Sequence, residues 1–215
     1  MKKTVNSSNN VFTTLGATNH SNRSREKQDY YSTDPKAIDY LLEHEQFDND
    51  IWECACGSGN LSKRLVSHGY KVYSTDIVYR NYGEKKRVDF LKCTEKFKGD
   101  IITNPPYKQA TEFVIKALEL SNQKVAMFLR IQFLESKKRY EEIFRKNPPK
   151  KILVFVKRIK CYPDDCDTIK NSAICYCWIV WDKKYSGKPL LEWIDNRDDG
   201  LKQHKSNRII RLTEY

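Results

Sequence analysis

The sequence lacks several features that mark exported, membrane-spanning or metal-binding proteins. No apolar run approaches the roughly 18 residues that a membrane-spanning helix needs. The N-terminus has two lysines but no apolar segment typical of a secretory signal. The seven cysteines form no C-x-x-C pair of the kind that binds zinc, and the four histidines are scattered. We therefore expect a cytoplasmic protein with reduced thiols, no membrane contact and no metal.

Acidic residues are outnumbered by basic ones. The chain has 39 lysines and arginines against 28 aspartates and glutamates, a net charge of +11. Such a balance often accompanies a polyanionic partner, usually nucleic acid, although solubility alone explains it equally well. The charge is uneven, because residues 124–170 have a net charge of +7 and residues 30–123 a net charge of −1. This asymmetry favours a nucleic-acid contact on the C-terminal half.

The length of 215 residues suits one domain with two flanking segments. Residues 1–29 are rich in serine, asparagine and threonine and carry five basic and two acidic residues. They predict a flexible basic arm that could touch a phosphate backbone, although a plain disordered tail fits as well. Residues 30–185 carry the periodic apolar pattern of a folded domain. Residues 186–215 have weak periodicity and form an extension of unclear structure.

Predicted strands and helices alternate along the domain, which favours a parallel α/β sheet. The last two predicted strands have no helix-length segment between them, so we expect them to pair antiparallel. Trp178 and Trp181 lie three apart on the last strand and should face opposite sides of the sheet. The predicted strands are 50–54, 70–77, 86–91, 100–103, 124–131, 150–159 and 172–182, and the predicted helices are 35–45, 60–68, 109–121 and 135–147.

Polar side chains stand at the ends of four successive predicted strands. They are Glu53, followed by a G-x-G turn, then Asp76, Asp89 and Asn104. In an open α/β sheet, ligands bind at the carboxyl ends of the strands. Aspartate favours turns in any case, but four such ends in register with a G-x-G predict a binding site. Asp76 would suit hydrogen bonds to two ribose hydroxyls. Asp89, which lies beside Phe90, would suit an adenine ring, by a hydrogen bond from the carboxylate and stacking on the aromatic ring.

These motifs resemble those of the class I S-adenosylmethionine-dependent methyltransferases, and among them the amino-methyltransferases that act on adenine. The resemblance covers residues 30–182. The N/D-P-P-Y/F motif of that family matches Asn104–Tyr107, and its glycine loop matches residues 56–59. Several stretches, in order, are similar to short DNA adenine methyltransferases of phages and prophages: DYYSTDP, WECACGSG, DIITNPPY, VAMFLRIQFLE, and a C-terminal SA followed by WIVW.

The resemblance implies an α/β, Rossmann-like fold with a seven-stranded, mostly parallel sheet, a final antiparallel strand and helices on both faces. It also implies S-adenosyl-L-methionine as cofactor and the cytoplasm of a bacterial or phage-infected cell as location. The family's N-terminal cofactor segment often reads Tyr-x-Thr-Pro, whereas here one residue separates Thr33 from Pro35. The implied cofactor-binding residues are Tyr31, Ser32, Thr33, Glu53, Cys54, Ala55, Cys56, Gly57, Gly59, Asp76, Ile77, Asp89, Phe90 and Asn104.

The resemblance assigns the chemistry to Asn104, Pro105, Pro106 and Tyr107. The exocyclic amine of adenine is a poor nucleophile because its lone pair is delocalised into the ring. The side-chain oxygen of Asn104 and the carbonyl of Pro105 would accept its N–H bonds and free that lone pair. Proline fixes φ, so these acceptors are in place before the substrate arrives. Tyr107 would stack on the base.

We call residues 104–107 the corner, since the chain turns there after a predicted strand. A base inside a duplex reaches the corner only when it is flipped out. Phosphate contacts must offset the cost, and the basic residues of 124–170 are the candidates, although any one of them alone also fits a solvated surface charge. The candidate nucleic-acid contacts are Arg130, Lys137, Lys138, Arg139, Lys157, Arg158, Lys160 and Tyr162.

The leading interpretation is methylation of adenine N6 in double-stranded DNA. Adenine methylation in tRNA or rRNA, methylation of a protein glutamine, and an inactive nucleic-acid-binding module stay open as alternatives. Both a monomer and a homodimer are compatible with the sequence. Only 34 residues follow Trp181, so we expect no separate recognition domain and a short or relaxed recognition site.

Overall fold

Nine strands run through the described residues, 31–162 and 174–197, of this computed structural model. The predicted N-terminal arm, residues 1–29, and residues 198–215 of the C-terminal extension lie outside the described residues. The strands are β1 (Ser32–Thr33), β2 (Asp50–Glu53), β3 (Lys71–Ser74), β4 (Asp100–Thr103), β5 (Lys124–Arg130), β6 (Lys151–Phe155), β7 (Cys161–Tyr162), β8 (Tyr176–Asp182) and β9 (Leu190–Ile194).

The helices correspond to the four predicted segments. They are α1 (Lys36–His44), α2 (Asn60–Ser67), α3 (Ala110–Leu120) and the short α4 (Lys137–Arg139), which continues as a π-helical turn over Tyr140–Phe144. Single 3-10 turns occur at Phe90–Lys92, Tyr107–Gln109 and Ile131–Leu134. No helix in the described ranges is both long and apolar enough to cross a bilayer.

Seven strands form one sheet in the order β3-β2-β4-β5-β8-β6-β9. The pairs β2–β3, β2–β4, β4–β5 and β6–β9 are parallel, and β8 is antiparallel to both β5 and β6. This confirms the predicted seven-stranded, mostly parallel sheet. The strand β9, which the sequence did not predict, extends the sheet at one edge beyond β6.

One predicted strand is wrong. Residues 86–91 form no strand, because Asp89 turns the chain there: its carboxylate accepts the amide of Leu91 over 3.2 Å and caps the 3-10 turn. The next side chain, Phe90, is buried in the core against Trp52 and Phe113, with ring centroids 5.1 Å away in each case. The apolar residue that suggested a strand is therefore buried by a turn.

Helices cover both faces of the sheet. On one face, α1 and α2 bury Ile38, Leu41 and Leu65 against Ile51 and Phe128. On the other face, α3 packs against strand side chains that include Ile101, Val125 and Met127. The π-helical turn buries Ile143 on the same face. The predicted division of the two tryptophans is confirmed, since Trp178 belongs to the first core and Trp181 to the second.

The parallel strands place their carboxyl ends along one edge of the sheet. A separate two-stranded sheet lies near this edge, where β1 pairs antiparallel with β7 and Thr33 lies opposite Cys161. The same two segments are joined again by the amide of Asp34, which donates to the carbonyl of Lys160 over 3.1 Å. The segment before α1 and the segment after β6 are therefore fastened to each other.

Candidate active site

A cavity of about 340 Å³ opens at the carboxyl ends of the strands. This volume is within the usual range of small-molecule pockets. Twelve of the fourteen predicted cofactor-binding residues line it, together with Pro105, Pro106 and Tyr107. The twelve are Tyr31, Ser32, Thr33, Glu53, Cys54, Ala55, Cys56, Asp76, Ile77, Asp89, Phe90 and Asn104.

The glycine turn between β2 and α2 is formed and anchored to the end of β3. Gly57 and Gly59 have φ values of +54° and +83°, in the region that favours glycine. The amide of Gly57 donates to Asp76 Oδ2 over 2.8 Å, and the amide of Cys56 donates to the carbonyl of Thr75 over 3.0 Å. These two glycines thus shape the cavity wall without being among the side chains that line it.

Asp76 follows β3 and organises this part of the wall. Its carboxylate accepts the amide of Val78 over 2.9 Å and lies 3.4 Å from Nη1 of Arg80. The side chain of Arg80 is 17% exposed and also lines the cavity. Sequence reasoning missed Arg80, because only its spacing of four residues from Asp76 pointed to it. It also missed Asn60, whose Nδ2 donates to the hydroxyl of Ser32.

Glu53 ends β2 as a buried carboxyl group at the back of the cavity. Its Oε2 accepts a hydrogen bond from the hydroxyl of Ser62, which in turn accepts one from the hydroxyl of Ser74 over 2.7 Å. Burial raises the pKa of Glu53 from 4.5 to about 8, and the hydrogen bonds from Ser62 oppose this effect. The carboxyl group therefore retains its proton at neutral pH.

We expect the free energy of unfolding to fall as the pH rises from about 6 to about 8. In this window the unfolded chain has released the Glu53 proton and the folded chain has not, so raising the pH favours unfolding. Relative to Glu53→Gln, the wild type should lose about 2 kcal/mol across the window. Urea denaturation of both proteins at each pH measures the difference, and parallel profiles would contradict the raised pKa.

Asn104 is the first residue after β4, and its amide nitrogen is fully engaged. Nδ2 donates to Thr33 Oγ1 over 2.8 Å and to the carbonyl of Tyr31 over 3.3 Å, and it lies 3.7 Å from Cys161 Sγ. A backbone carbonyl only accepts, so Tyr31 fixes which end of the amide carries the nitrogen. The other end, Oδ1, is buried and accepts no hydrogen bond within the described residues.

An unpaired buried acceptor costs about 1–3 kcal/mol, and unpaired groups of this kind point to functional sites. Here the acceptor belongs to a residue that lines the cavity. Asn104 Oδ1 therefore lacks the partner that an N–H or O–H group of a ligand would supply.

Thr33 lines the cavity and also holds the amide of Asn104 in its orientation. The residue is 3% exposed, and its hydroxyl contacts both Asn104 Nδ2 and Cys161 Sγ. Replacing Thr33 with valine keeps the shape but removes the acceptor, so the amide of Asn104 loses a constraint on its orientation.

We expect Thr33→Val to lower turnover about tenfold, the effect of about one lost hydrogen bond, and to leave cofactor affinity nearly unchanged. Thr33→Ser, which keeps the hydroxyl, is the matched control and should retain most of the turnover. Steady-state kinetics and calorimetry of cofactor binding separate the two effects. A loss of affinity with unchanged turnover would assign Thr33 to the cofactor instead.

The two prolines give the corner a rigid backbone. Pro106 has φ −59° and ψ 125°, and its carbonyl accepts the amide of Gln109 over 3.0 Å at the start of the 3-10 turn. Pro105 is buried. Because each ring fixes its own φ, the corner does not need to be ordered by a ligand.

Tyr107 presents an aromatic ring that is packed on several sides. Its centroid lies 5.4 Å from that of Tyr31 and 5.8 Å from that of Tyr176, and the guanidinium of Arg130 lies 4.4 Å from the ring centre. Its hydroxyl is 3.3 Å from Cys161 Sγ. Burial raises the pKa of Tyr107 well above its usual value, so the hydroxyl stays neutral.

The thiols at the cavity are unsuited to nucleophilic attack. Burial raises the pKa of Cys54 and of Cys161, and it raises the pKa of Cys56 to about 12. A protonated thiol is a poor nucleophile. Among residues 31–162 and 174–197, no three or more histidine, cysteine, aspartate and glutamate side chains are grouped so that they could hold a metal ion.

The predicted nucleic-acid contacts after β5 have different surroundings. Arg130 ends β5 beside Tyr107. Lys137 and Lys138 are exposed, and Lys138 lies 4.0 Å from Glu142. Arg139 has most of its donors engaged, because its guanidinium bonds to three backbone carbonyls, those of Phe133, Gln132 and Glu135.

The remaining predicted contacts follow β6 at the same edge. Lys157, Arg158 and Lys160 are exposed. The side chain of Asn196 accepts the amide of Lys157 and donates to its carbonyl, each over 2.7 Å, and so holds this segment in place. Tyr162 belongs to β7. Lys157, Arg158 and Lys160 thus follow the carboxyl end of β6, at the edge where the cavity opens.

Solved structures with similar folds include proteins described as methyltransferases. One is a protein of Listeria monocytogenes assigned to the class I S-adenosylmethionine-dependent methyltransferases, with a TM-score of 0.54 and 13% identity. Another is a modification subunit assigned to a type I restriction enzyme of Vibrio vulnificus, with a TM-score of 0.53 and 15% identity. The chain has the class I methyltransferase fold. A predicted O-methyltransferase of Agrobacterium tumefaciens is also similar, with a TM-score of 0.51 and 10% identity.

These similarities extend over 74% of this chain in each case. They cover 64% of the Listeria protein, 45% of the Vibrio subunit and 85% of the Agrobacterium protein. The chain therefore spans less than two thirds of the first two. No protein-family model and no curated protein sequence matches the chain. At such low identities the similarity establishes the class I methyltransferase fold, while the site must be interpreted from its own residues.

Proposed function

We propose that this protein transfers a methyl group from S-adenosylmethionine to the N6 amine of adenine in DNA. The observation that carries the proposal is the amide of Asn104. Its nitrogen is locked by Tyr31 and Thr33, and its oxygen is a buried acceptor without a partner. An acceptor fixed in this way at a cavity wall suits a substrate that presents an N–H group.

The residues of the cavity fit this cofactor. The glycine turn lets the backbone come close to a ligand, and the carboxylate of Asp76, the acid that would meet the ribose hydroxyls, lies at the wall beside that turn. Asp89 and Phe90 offer a carboxylate and an aromatic side chain at the end of the cavity where an adenine ring would be held. When bound, S-adenosylmethionine supplies an electrophilic methyl group on a sulfonium.

The corner residues act on the amine. Asn104 Oδ1 and the carbonyl of Pro105 accept the two N–H bonds, which favours a more tetrahedral nitrogen with a localised lone pair. Because the amide of Asn104 and the proline backbone are fixed beforehand, little reorganisation is needed at the moment of transfer. Tyr107 orients the base by stacking, so that positioning supplies most of the acceleration.

The charge distribution favours a polyanionic substrate over a protein. Residues 124–170 have a net charge of +7, and the exposed Lys157, Arg158 and Lys160 among them follow β6, whose carboxyl end lies at the cavity edge. Phosphate contacts there would offset the few kcal/mol that base flipping costs. The similarity of the fold to a restriction-enzyme modification subunit is consistent with DNA.

A tritium-transfer assay tests the proposal with duplex DNA, structured RNA and a protein extract offered separately to the purified protein. We expect transfer to DNA, and base-resolution sequencing of that DNA should locate methyladenine at a short or relaxed site. Transfer to RNA alone would replace the substrate, and transfer to protein alone would exclude adenine. A long, bipartite DNA site would contradict the expected recognition without a separate domain.

A further inference from the structure

Arg130 is the last residue of β5 and has no part in the proposed mechanism. Its guanidinium lies 4.4 Å from the centre of the Tyr107 ring, a cation–π contact. Its Nε is buried and has no hydrogen-bond partner within the described residues. A donor on an arginine that is buried without an acceptor is costly, so its partner is expected to be a ligand.

Two residues close to Tyr107 each have a buried polar atom without a hydrogen-bond partner in the described residues. Asn104 Oδ1 is an acceptor, and Arg130 Nε is a donor. Asn104 and Tyr107 are joined through Cys161, which lies 3.7 Å from Asn104 Nδ2 and 3.3 Å from the Tyr107 hydroxyl. Together the two atoms complement the edge of a base that carries an amine next to a ring nitrogen. The acceptor would receive a hydrogen bond from the amine, and the donor would give one to the ring nitrogen.

The position of the guanidinium indicates how it reaches that edge. At 4.4 Å above the ring it occupies about the layer that a stacked base would occupy. A base that stacked on this face would displace the guanidinium sideways within the same layer, where its N–H groups could meet the edge of the base.

We propose that Arg130 covers the Tyr107 ring in the free protein and, when the base enters, donates a hydrogen bond to a ring nitrogen beside the target amine. The proposal rests on the proposed function, because it assumes that the base stacks on Tyr107. It makes Arg130 a specificity-determining residue: on the side of adenine N1, guanine and thymine present an oxygen and an N–H group in place of the amine and the ring nitrogen, whereas on the side of N7 guanine keeps the acceptor. Of the acceptors that nucleic acid offers, a ring nitrogen fits better than a phosphate, since Nε is buried rather than at the surface.

The test uses DNA duplexes that carry the mapped site with adenine, 1-deazaadenine or 7-deazaadenine at the target position. The two analogues distinguish the ring nitrogens on either side of the amine. We expect the wild type to lose about 100-fold in kcat/KM on one of them. Arg130→Met should be slow on adenine and should lose no more than about twofold further on that analogue.

Arg130→Lys and Lys138→Met serve as matched variants. Lysine keeps the charge but cannot place a donor at the position of Nε. Arg130→Lys should therefore discriminate between the analogues no better than Arg130→Met does. Its DNA binding should depend on salt as that of the wild type does, because the charge is retained. Lys138→Met removes a charge from an exposed side chain and should leave analogue discrimination unchanged. Cofactor binding by calorimetry verifies that each variant is folded.

Equal sensitivity of wild type and Arg130→Met to both analogues would overturn the proposal. So would a wild type that tolerates both analogues, or an Arg130→Met variant that changes only the salt slope, which is the result for a phosphate contact. If the wild type methylates RNA and not DNA, the DNA assignment fails on its own, and the same analogues in RNA test Arg130. If it methylates no nucleic acid, the proposed function and this inference fail together.

Discussion

Replacing Asn104 with alanine is expected to reduce kcat by about 100-fold to 1,000-fold, the usual effect of removing one preorganised group that stabilises charge in a transition state. The substitution deletes the unpaired acceptor Oδ1 and leaves the cavity wall otherwise intact. The affinity for S-adenosylmethionine should change little, because Asn104 is only one of the many residues that line the cavity. Single-turnover kinetics with saturating cofactor measure the chemical step directly.

Gln109→Ala is the control for this experiment. Gln109 lines the same cavity as an exposed polar side chain, and its loss should leave the rate within about threefold of wild type, as expected for a surface change. An Asn104→Ala variant that methylates DNA at the wild-type rate would remove the basis of the proposed function. A variant that is inactive because it no longer binds cofactor would reassign Asn104 to cofactor binding.

Replacing Gly59 with alanine is expected to abolish measurable cofactor binding. A Cβ atom at this position would lie 2.2 Å from Cδ1 of Tyr82, and the backbone φ is +83°. Either the ring of Tyr82 or the turn must move, and the positive φ strains an alanine in both cases. A shifted turn displaces the amide of Gly57, which donates to Asp76 Oδ2 over 2.8 Å. We expect a loss of about 1–3 kcal/mol in stability from the backbone conformation and a loss of affinity of more than about 100-fold from the displaced turn.

Gly69→Ala separates the two effects. Gly69 has a similar φ of +91°, but an added Cβ would meet no atom within 4 Å. This variant should lose stability and retain cofactor binding. A double variant, Gly59→Ala with Tyr82→Ala, removes the clash and should recover part of the affinity. If Gly59→Ala binds cofactor as well as Gly69→Ala does, the glycine turn is not part of the cofactor site.

The sequence predicts those parts of the site that depend on local order along the chain. Glu53, Asp76, Asp89 and Asn104 could be assigned because parallel strands align their carboxyl ends, so one polar residue after each strand is enough to locate the site. The glycine turn was predictable for the same reason. All four side chains line the cavity. The division of Trp178 and Trp181 followed from the alternation of side chains along a strand.

The parts that sequence reasoning missed depend on contacts between distant segments. Cys161 meets Thr33 across 128 positions of the chain, and no local pattern marks such a pair. Arg130 on the ring of Tyr107 is a contact of the same kind. The predicted strand at 86–91 was wrong for a different reason: Val88 and Phe90 are apolar and alternate, but the capping carboxylate of Asp89 decides the local conformation.

The pairing of β1 with β7 makes the orientation of the Asn104 amide depend on a weak element. Each strand has only two residues, and such a small sheet has little stability of its own. It can therefore open by local unfolding at a lower free energy than the seven-stranded sheet. Hydrogen exchange should be fast at the amide of Asp34 and slow in β5. In mild denaturant, methyl transfer should then cease before the seven-stranded sheet unfolds.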